Sequence, residues 1–380
     1  MSRKDFQIEM INSAAELKPW RQKWLDLLAQ QAWPTVFHHP DWLDACFAVK
    51  SNQLKICLIT YQAELAAAFV LSVIKTEGGA FLYPVNSFSL EPQISTVRPP
   101  CLIGIVDDKY KNLPMQAAWE LAISKIKWQV GFFQYINQRE DWLILPLKKY
   151  LAQQNYQLSS GKSAPEAYIN LQLPAEEIID SRPSKLKRTL NNAQNRLEKE
   201  RSHKYLELSE AGFAWPQAQQ TMLEIFGKSW QSSSPISPLH HQNIDYLLPV
   251  LKKFYLRDQF RILVLYINGQ PAAYEAYFLY ANTLFPVSRC FADAYKRFSP
   301  GNLLIKKSIW FFSEKNIKGI YYGPFRRVDK TGYKQRWATE IWETPNLLCL
   351  KPFSSYGVLH NIYQSSSLFR KIWWKLKKSK

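Results

Sequence analysis

Apolar and polar positions follow strand-like and helix-like periods along most of the chain. The clearest stretch runs from Phe260 to Trp337. Residues 260–267, Phe-Arg-Ile-Leu-Val-Leu-Tyr-Ile, form one β-rich run, and Gln270 to Phe278 form a second. The two are split by Asn268-Gly269, which predicts a hairpin. A third strand is expected around Thr283–Cys290. A loop from Asp293 to Asn302 follows, then apolar positions at helical spacing from Leu303 to Glu314. Ser299 fits the N-cap of that helix and Pro300 its first residue. Lys318–Tyr322 reads as another strand and Leu347–Leu350 as the last.

Upstream, Phe6–Ile11 reads as a strand and Ala14–Leu28 as a helix with Trp20, Trp24, Leu27 and Leu28 on one face. Pro40 opens a helix whose apolar face is Trp42, Leu43, Cys46 and Phe47. Leu54–Tyr61 and Leu65–Lys75 pair as a hairpin, and the Pro- and Ser-rich stretch Phe81–Pro100 is expected to be irregular, lining a cleft. Leu113–Lys127 and Trp142–Gln153 read as helices, Gly131–Ile136 and Tyr168–Leu173 as strands. Beyond a boundary near Pro174–Pro183, Leu186, Leu190, Ala193 and Leu197 make one helical stripe, leaving Lys185, Lys187, Arg188 and Arg196 outward. Phe213–Trp230 and Leu239–Arg257 are two further helices. Strands and helices therefore alternate around a hairpin in each half. The fold class is α/β, with modules at 1–175 and 176–350 and a tail at 351–380.

The order hairpin, strand, basic loop, helix N-terminus, strand resembles the acyl-CoA-binding half of GNAT-type acetyltransferases. In particular it is similar to the CelD/BcsL-like members, relatives of the FemABX peptidyltransferases. The residues that carry the resemblance are Gly269 to Ala273 (Gly-x-Pro-x-Ala), Asp293 through Ser299-Pro300-Gly301 to Leu304, and Tyr333-Lys334-Gln335-Arg336-Trp337. Phe37 to Leu43 and the Lys185/Arg188/Arg196 helix match the same family. The resemblance implies two tandem GNAT-like modules with mixed sheets flanked by helices, the first a degenerate copy. It also implies N-acyltransfer from acetyl-CoA or another acyl-CoA, as a co-substrate, to an amine, an amino sugar or amino acid, in envelope or surface-polysaccharide metabolism. Two rivals stand beside it: a FemABX-like transferase that draws its donor from aminoacyl-tRNA, and a catalytically degenerate GNAT fold that binds an anion or a membrane.

Candidate chemistry clusters in the same stretch. A helix start offers unpaired N–H groups and the positive end of a dipole, so Ser299, Gly301 and Asn302 are expected to hold the donor's phosphates, with Lys296 and Arg297 adding charge. Glu275 is the lone carboxylate in an apolar strand, so its pKa should be raised, as suits a base that takes an ammonium proton. The alternative is that Glu275 pairs with Arg289 on the neighbouring strand. Arg289 and Asp293 are secondary, substrate-binding candidates. By the resemblance, Tyr333-Lys334 places Lys334 near the transferred acyl group, where its charge would stabilise the carbonyl oxygen. An acid frequent in the family is replaced here by Tyr321-Tyr322, with Asp329 downstream. Lys185 and Arg188 contact substrate phosphate or simply face solvent. His38, His39, His240 and His241 stand at helix starts and are either ligand contacts or structural. No metal site is expected.

The formal charge of +18 and a pI near 9.5 imply an anionic partner. Five cysteines with no CxxC spacing fit a reducing compartment rather than a disulfide framework. The N-terminus lacks a signal-peptide pattern, and Leu65–Ile74, the longest apolar run, is far short of a membrane span. The expected location is the cytoplasm. The tail carries Arg370, Lys371, Lys375, Lys377, Lys378 and Lys380 among Phe369, Ile372, Trp373 and Leu376. It is expected either to lie on an anionic membrane face or to pack its apolar side on the protein.

Overall fold

The computed structural model describes residues 6–31, 34–50, 54–77, 84–89, 104–110, 113–125, 130–134, 141–162, 165–234, 237, 239–325, 332–343 and 345–350. The tail at 351–380, Asp329, and most of 81–100 lie outside the described residues. The first half holds β1 (Phe6–Ile11), α1 (Ala14–Leu17), α2 (Arg21–Ala29), α3 (Pro40–Lys50), β2 (Leu54–Tyr61), β3 (Glu64–Glu77), β4 (Pro84–Ser89), β5 (Gly104–Val106), α4 (Met115–Ser124), β6 (Val130–Gln134), α5 (Asp141–Gln153) and β7 (Gln157–Lys162). Next come β8 (Glu166–Asn170), α6 (Ala175–Asp180), α7 (Ser184–Glu200), β9 (His203–Glu207), α8 (Trp215–Gly227), α9 (His241–Tyr255), β10 (Phe260–Ile267), β11 (Gln270–Tyr280) and β12 (Thr283–Phe291). The chain closes with α10 (Pro300–Ser313), β13 (Gly319–Pro324), α11 (Tyr333–Trp337), β14 (Glu340–Trp342) and β15 (Pro345–Leu350).

The strands form two sheets of the same design. One runs β1-β2-β3-β4-β6-β15-β7, with β5 beside β3; the other runs β9-β10-β11-β12-β13-β8-β14. Each sheet has a strand from the other half of the chain as its second-last member. Strand β8 leaves the first half and enters between β13 and β14, while β15 returns to lie between β6 and β7. A division between residues 175 and 176 therefore does not separate the two sheets. The Leu347–Leu350 strand, expected in the C-terminal module, completes the N-terminal one.

The hairpins at the centre of the two sheets repeat each other in detail. Gln62-Ala63 and Asn268-Gly269 both turn with two positive φ values, 48° and 67° in the first and 51° and 76° in the second. Asn-Gly takes this left-handed geometry at low cost, which is why that hairpin is legible in the sequence. Each hairpin carries a bulge at the same distance from its turn, after Ile59 in one and Leu265 in the other. The two sheets also meet through equivalent faces. Ala68 and Val70 of β3 share one core with Tyr274, Ala276 and Phe278 of β11, and α3 packs on α9 across it. Trp42 meets Phe278 edge-on at 5.9 Å and Phe37 meets Phe285 at 5.8 Å.

On the outer face of the second sheet, α7 and α10 close a separate core. Leu186, Leu190, Ala193 and Leu197 of α7 are all buried there, as their spacing predicts. Each leucine so buried contributes about 1.5–3 kcal/mol. Strands β5, β7, β9 and β14 escaped the sequence reading because they are short or lie at sheet edges. The stretch Phe81–Pro100, expected to be irregular, contains β4, which pairs with β3 and β6. The four described cysteines, Cys46, Cys57, Cys290 and Cys349, are buried and form no disulfide with one another. No helix among the described residues is long and apolar enough to cross a membrane.

Candidate active site

The site forms where two parallel neighbours part. Strands β12 and β13 pair only at Thr283/Gly319 and Leu284/Ile320, and then separate. A bulge in β12 between its partners Ala276 and Tyr277 falls just beyond that point. Past the bulge, the N–H of Ala292 bonds to the Ala272 carbonyl at 2.9 Å, so by alternation Glu275 and Arg289 form a pair without mutual backbone bonds. The backbone groups of Arg289 thus point away from β11 into the wedge between β12 and β13. Its carbonyl accepts the Gln231 side-chain amide at 2.9 Å.

Side chains from four elements meet at this wedge. Glu275 of β11 is fully buried, and its Oε1 lies 3.9 Å from Nη1 of Arg289. The Tyr322 hydroxyl, on β13, donates to the same Oε1 at 2.9 Å. Tyr333 of α11 lies under the Arg289 guanidinium, 3.8 Å from carbon to ring centre, and meets Tyr322 edge-on at 6.0 Å. Burial raises the Glu275 pKa, and the Arg289 charge with the Tyr277 and Tyr322 hydroxyls only partly offsets it. Burial likewise raises Tyr322 and Tyr333. For Arg289 burial acts against the charge, but Tyr333, Glu275 and Tyr322 outweigh it and keep the guanidinium protonated.

The start of α10 borders the same cluster. Ser299 adopts a left-handed conformation, φ 48°, which lets a 3-10 turn over 293–298 close directly into the helix. Ser299 stands at the N-cap position but makes no capping bond. Its Oγ accepts from Asn302 Nδ2 at 2.9 Å, and Asn302 Oδ1 accepts from Trp337 Nε1 at 3.2 Å. Trp337 is completely buried, so α11 is pinned to the first turn of α10. Gly301 rests on the Arg289 stem: a Cβ there would sit 3.7 Å from Nε, an ordinary contact.

The other expected site residues scatter around this centre. Lys334 donates to the Pro324 carbonyl at 2.9 Å, fastening α11 to the end of β13. Arg297 pairs with Glu200 at 2.7 Å and covers Phe298, and Arg196 donates to the Arg297 carbonyl at 3.0 Å. Lys296 and Asp293 are exposed on the 3-10 turn, and Lys185 and Arg188 are exposed on the first turns of α7. No described hydrogen bond or ion pair joins any of these four to Arg289. His38 and His39 are buried and structural: His38 bonds to Thr35, and Nδ1 of His39 accepts the Asp41 N–H at 3.1 Å. His240 is buried at the start of α9.

Sequence reasoning passed over Tyr322. The available signal was a phenol in a buried strand, since a buried hydroxyl needs a partner. Among the described residues, the first sheet shows no comparable cluster at the corresponding place. Phe69 is the sixth residue of β3, as Glu275 is of β11, and it packs on Trp119 of α4 at 4.4 Å. Two aromatic rings fill the space that carries charge in the second sheet.

Residues 184–335 match the family model described as an acetyltransferase (GNAT) domain. No curated protein matches the chain by sequence. Among solved structures, FemX is similar over 90% of this chain and 97% of its own, with 9% identity and a TM-score of 0.56. L-PGS from Bacillus licheniformis is similar over 92% and 96%, with 12% identity and a TM-score of 0.50. A protein of unknown function from Bacteroides thetaiotaomicron is similar over 91% and 100%, with 10% identity and a TM-score of 0.52. Residues 184–335 thus match the GNAT acetyltransferase domain model, and the chain has the mixed α/β GNAT fold, which it shares with FemX and L-PGS.

Proposed function

We propose that the protein is an N-acyltransferase that moves an acyl group, acetyl in the simplest case, from acyl-CoA to an amine. The observation that carries this reading is the wedge between β12 and β13, with the start of α10 at its edge. The edge of β12 offers backbone N–H groups in strand spacing, which suits the amide carbonyls of a pantetheine arm; the Arg289 carbonyl is already engaged by Gln231. The first turn of α10, at Ser299, Gly301 and Asn302, offers N–H groups and a positive dipole end for the diphosphate. Exposed Lys296 lies one turn before it, whereas Arg297 is already engaged by Glu200.

In this reading the amine nitrogen attacks the thioester carbon, the carbon–sulfur bond breaks, and CoA leaves as a thiolate that takes its proton from water, while Glu275 later returns the amine's proton to solvent. Edge N–H groups of β12 stabilise the carbonyl oxygen as it gains charge. Glu275 is too deeply buried to meet the amine itself. Tyr322 takes the amine's proton while passing its own to Glu275, whose raised pKa favours receiving it. Lys334 acts through structure, holding α11 so that Tyr333 stays beneath Arg289.

A second reading, a donor delivered on tRNA, is favoured by the exposed cations Lys185 and Arg188 on α7 and by the net charge of +18. Calorimetry with CoA and with aminoacyl-tRNA at two salt concentrations separates the two. Saturable CoA binding with no tRNA binding at the higher salt supports the first reading. The reverse result overturns it.

A further inference from the structure

We infer that Arg289 binds a carboxylate of the acceptor, so that the acceptor class is an amine that also carries a carboxylate, as amino acids do. The inference rests on the acyltransferase reading above for the reaction, but on an independent observation for the ligand. A guanidinium has five N–H donors in a planar fork. That of Arg289 makes no hydrogen bond to any described residue, although its side chain is only 18% exposed. Its Nη1 is fully buried and unpartnered, and Glu275 stays at 3.9 Å, beyond hydrogen-bond reach. Glu275 Oε2 is buried and unpartnered as well. Leaving buried charged donors unmet is costly, so the fork is built for a partner that arrives with the substrate.

The geometry selects the partner's shape. Tyr333 covers one face of the guanidinium at 3.8 Å, and the Gly301 backbone lies along the stem. The donors themselves lie along the edge of the guanidinium plane, where two parallel N–H groups suit a carboxylate fork to fork. Glu275 does not occupy the fork's donors, because its Oε1 stays 3.9 Å from Nη1. The amine of the same molecule then comes within reach of Tyr322, 2.9 Å from Glu275.

The test uses the full chain with acetyl-CoA as donor and a panel of amino acids beside their carboxamides as acceptors. Melting shifts with the same compounds provide a readout that needs no turnover. The carboxylates are expected to outperform their amides about 10- to 100-fold in kcat/KM, the usual worth of a charge-assisted pair. Arg289→Gln should erase that preference, mainly through acceptor KM, and Arg289→Lys should restore part of it. Equal use of acids and amides by the unaltered protein overturns the inference, as does a preference that survives Arg289→Gln. If CoA binds yet no carboxylate raises the melting temperature or is acylated, the inference fails and the acyltransferase reading stands. If CoA does not bind but carboxylates stabilise the protein through Arg289, the reading fails and this site stands.

Discussion

Acidification should loosen the contact between the two halves through one histidine. His39 is 6% exposed, with its ring against Phe254 at 5.0 Å and Tyr280 at 5.9 Å. Its Nδ1 accepts the Asp41 N–H, so it serves as the cap of α3 and must be neutral there. Burial pushes its pKa from 6.5 down to about 4; the Asp41 carboxylate opposes this, and Arg257, Arg21 and Lys253 reinforce it. The unfolded chain takes up the proton near pH 6.5 and the native protein only near pH 4. Stability from this group is therefore complete above pH 6.5 and is lost as pH falls through that window. A difference of about 2.5 units corresponds to about 3.4 kcal/mol in full, and to about 2 kcal/mol between pH 7 and pH 5. Urea unfolding at both pH values, for the natural chain and for His39→Asn, isolates the effect, since asparagine also caps but does not titrate. The natural chain should lose about 2 kcal/mol more than the variant. Equal losses in the two proteins would refute the reasoning.

Three other perturbations have defined outcomes. Gly319→Ala places a methyl against the Tyr168 hydroxyl and 2.5 Å from the Ile169 carbonyl, both on β8. Since backbone cannot step aside, it should cost about 3 kcal/mol or more, read as a lowered urea midpoint. Tyr322→Phe removes the hydroxyl bonded to Glu275 and should lower kcat about a hundredfold with CoA affinity retained, in steady-state kinetics paired with calorimetry. Lys334→Met cuts the tie to Pro324 and frees Tyr333, so kcat should fall while the far-ultraviolet spectrum is kept; unchanged turnover would leave Lys334 a surface fastening only.

Local signals were legible because they depend on local geometry. The Asn268-Gly269 turn, the α7 stripe and the start of α10 at Pro300 each follow from a few neighbouring residues. Strand alternation puts Glu275 inward, and cross-strand register sets Arg289 opposite it, 3.9 Å away. The role of Tyr322 and the Asn302–Trp337 link depend on contacts across 47 and 35 residues, which no period encodes. The placement of β15 was illegible for the same reason. An apolar strand looks alike whichever sheet receives it, and only the gap between β6 and β7 selects its destination.

The exchange of β8 and β15 also dictates an order of assembly. As the chain emerges from the ribosome, β6 and β7 appear long before the strand that joins them. Until residue 350 is made, the first sheet has two open edges where its neighbour belongs, and such edges invite pairing with other chains. The second sheet meets no such delay, because β8 precedes every partner it has. The half with the charged cluster can therefore close first, and β15 then seals the earlier half. The strand nearest the end of the described chain is the last to dock, and a ribosome that stalls before it leaves the protein adhesive rather than merely shortened.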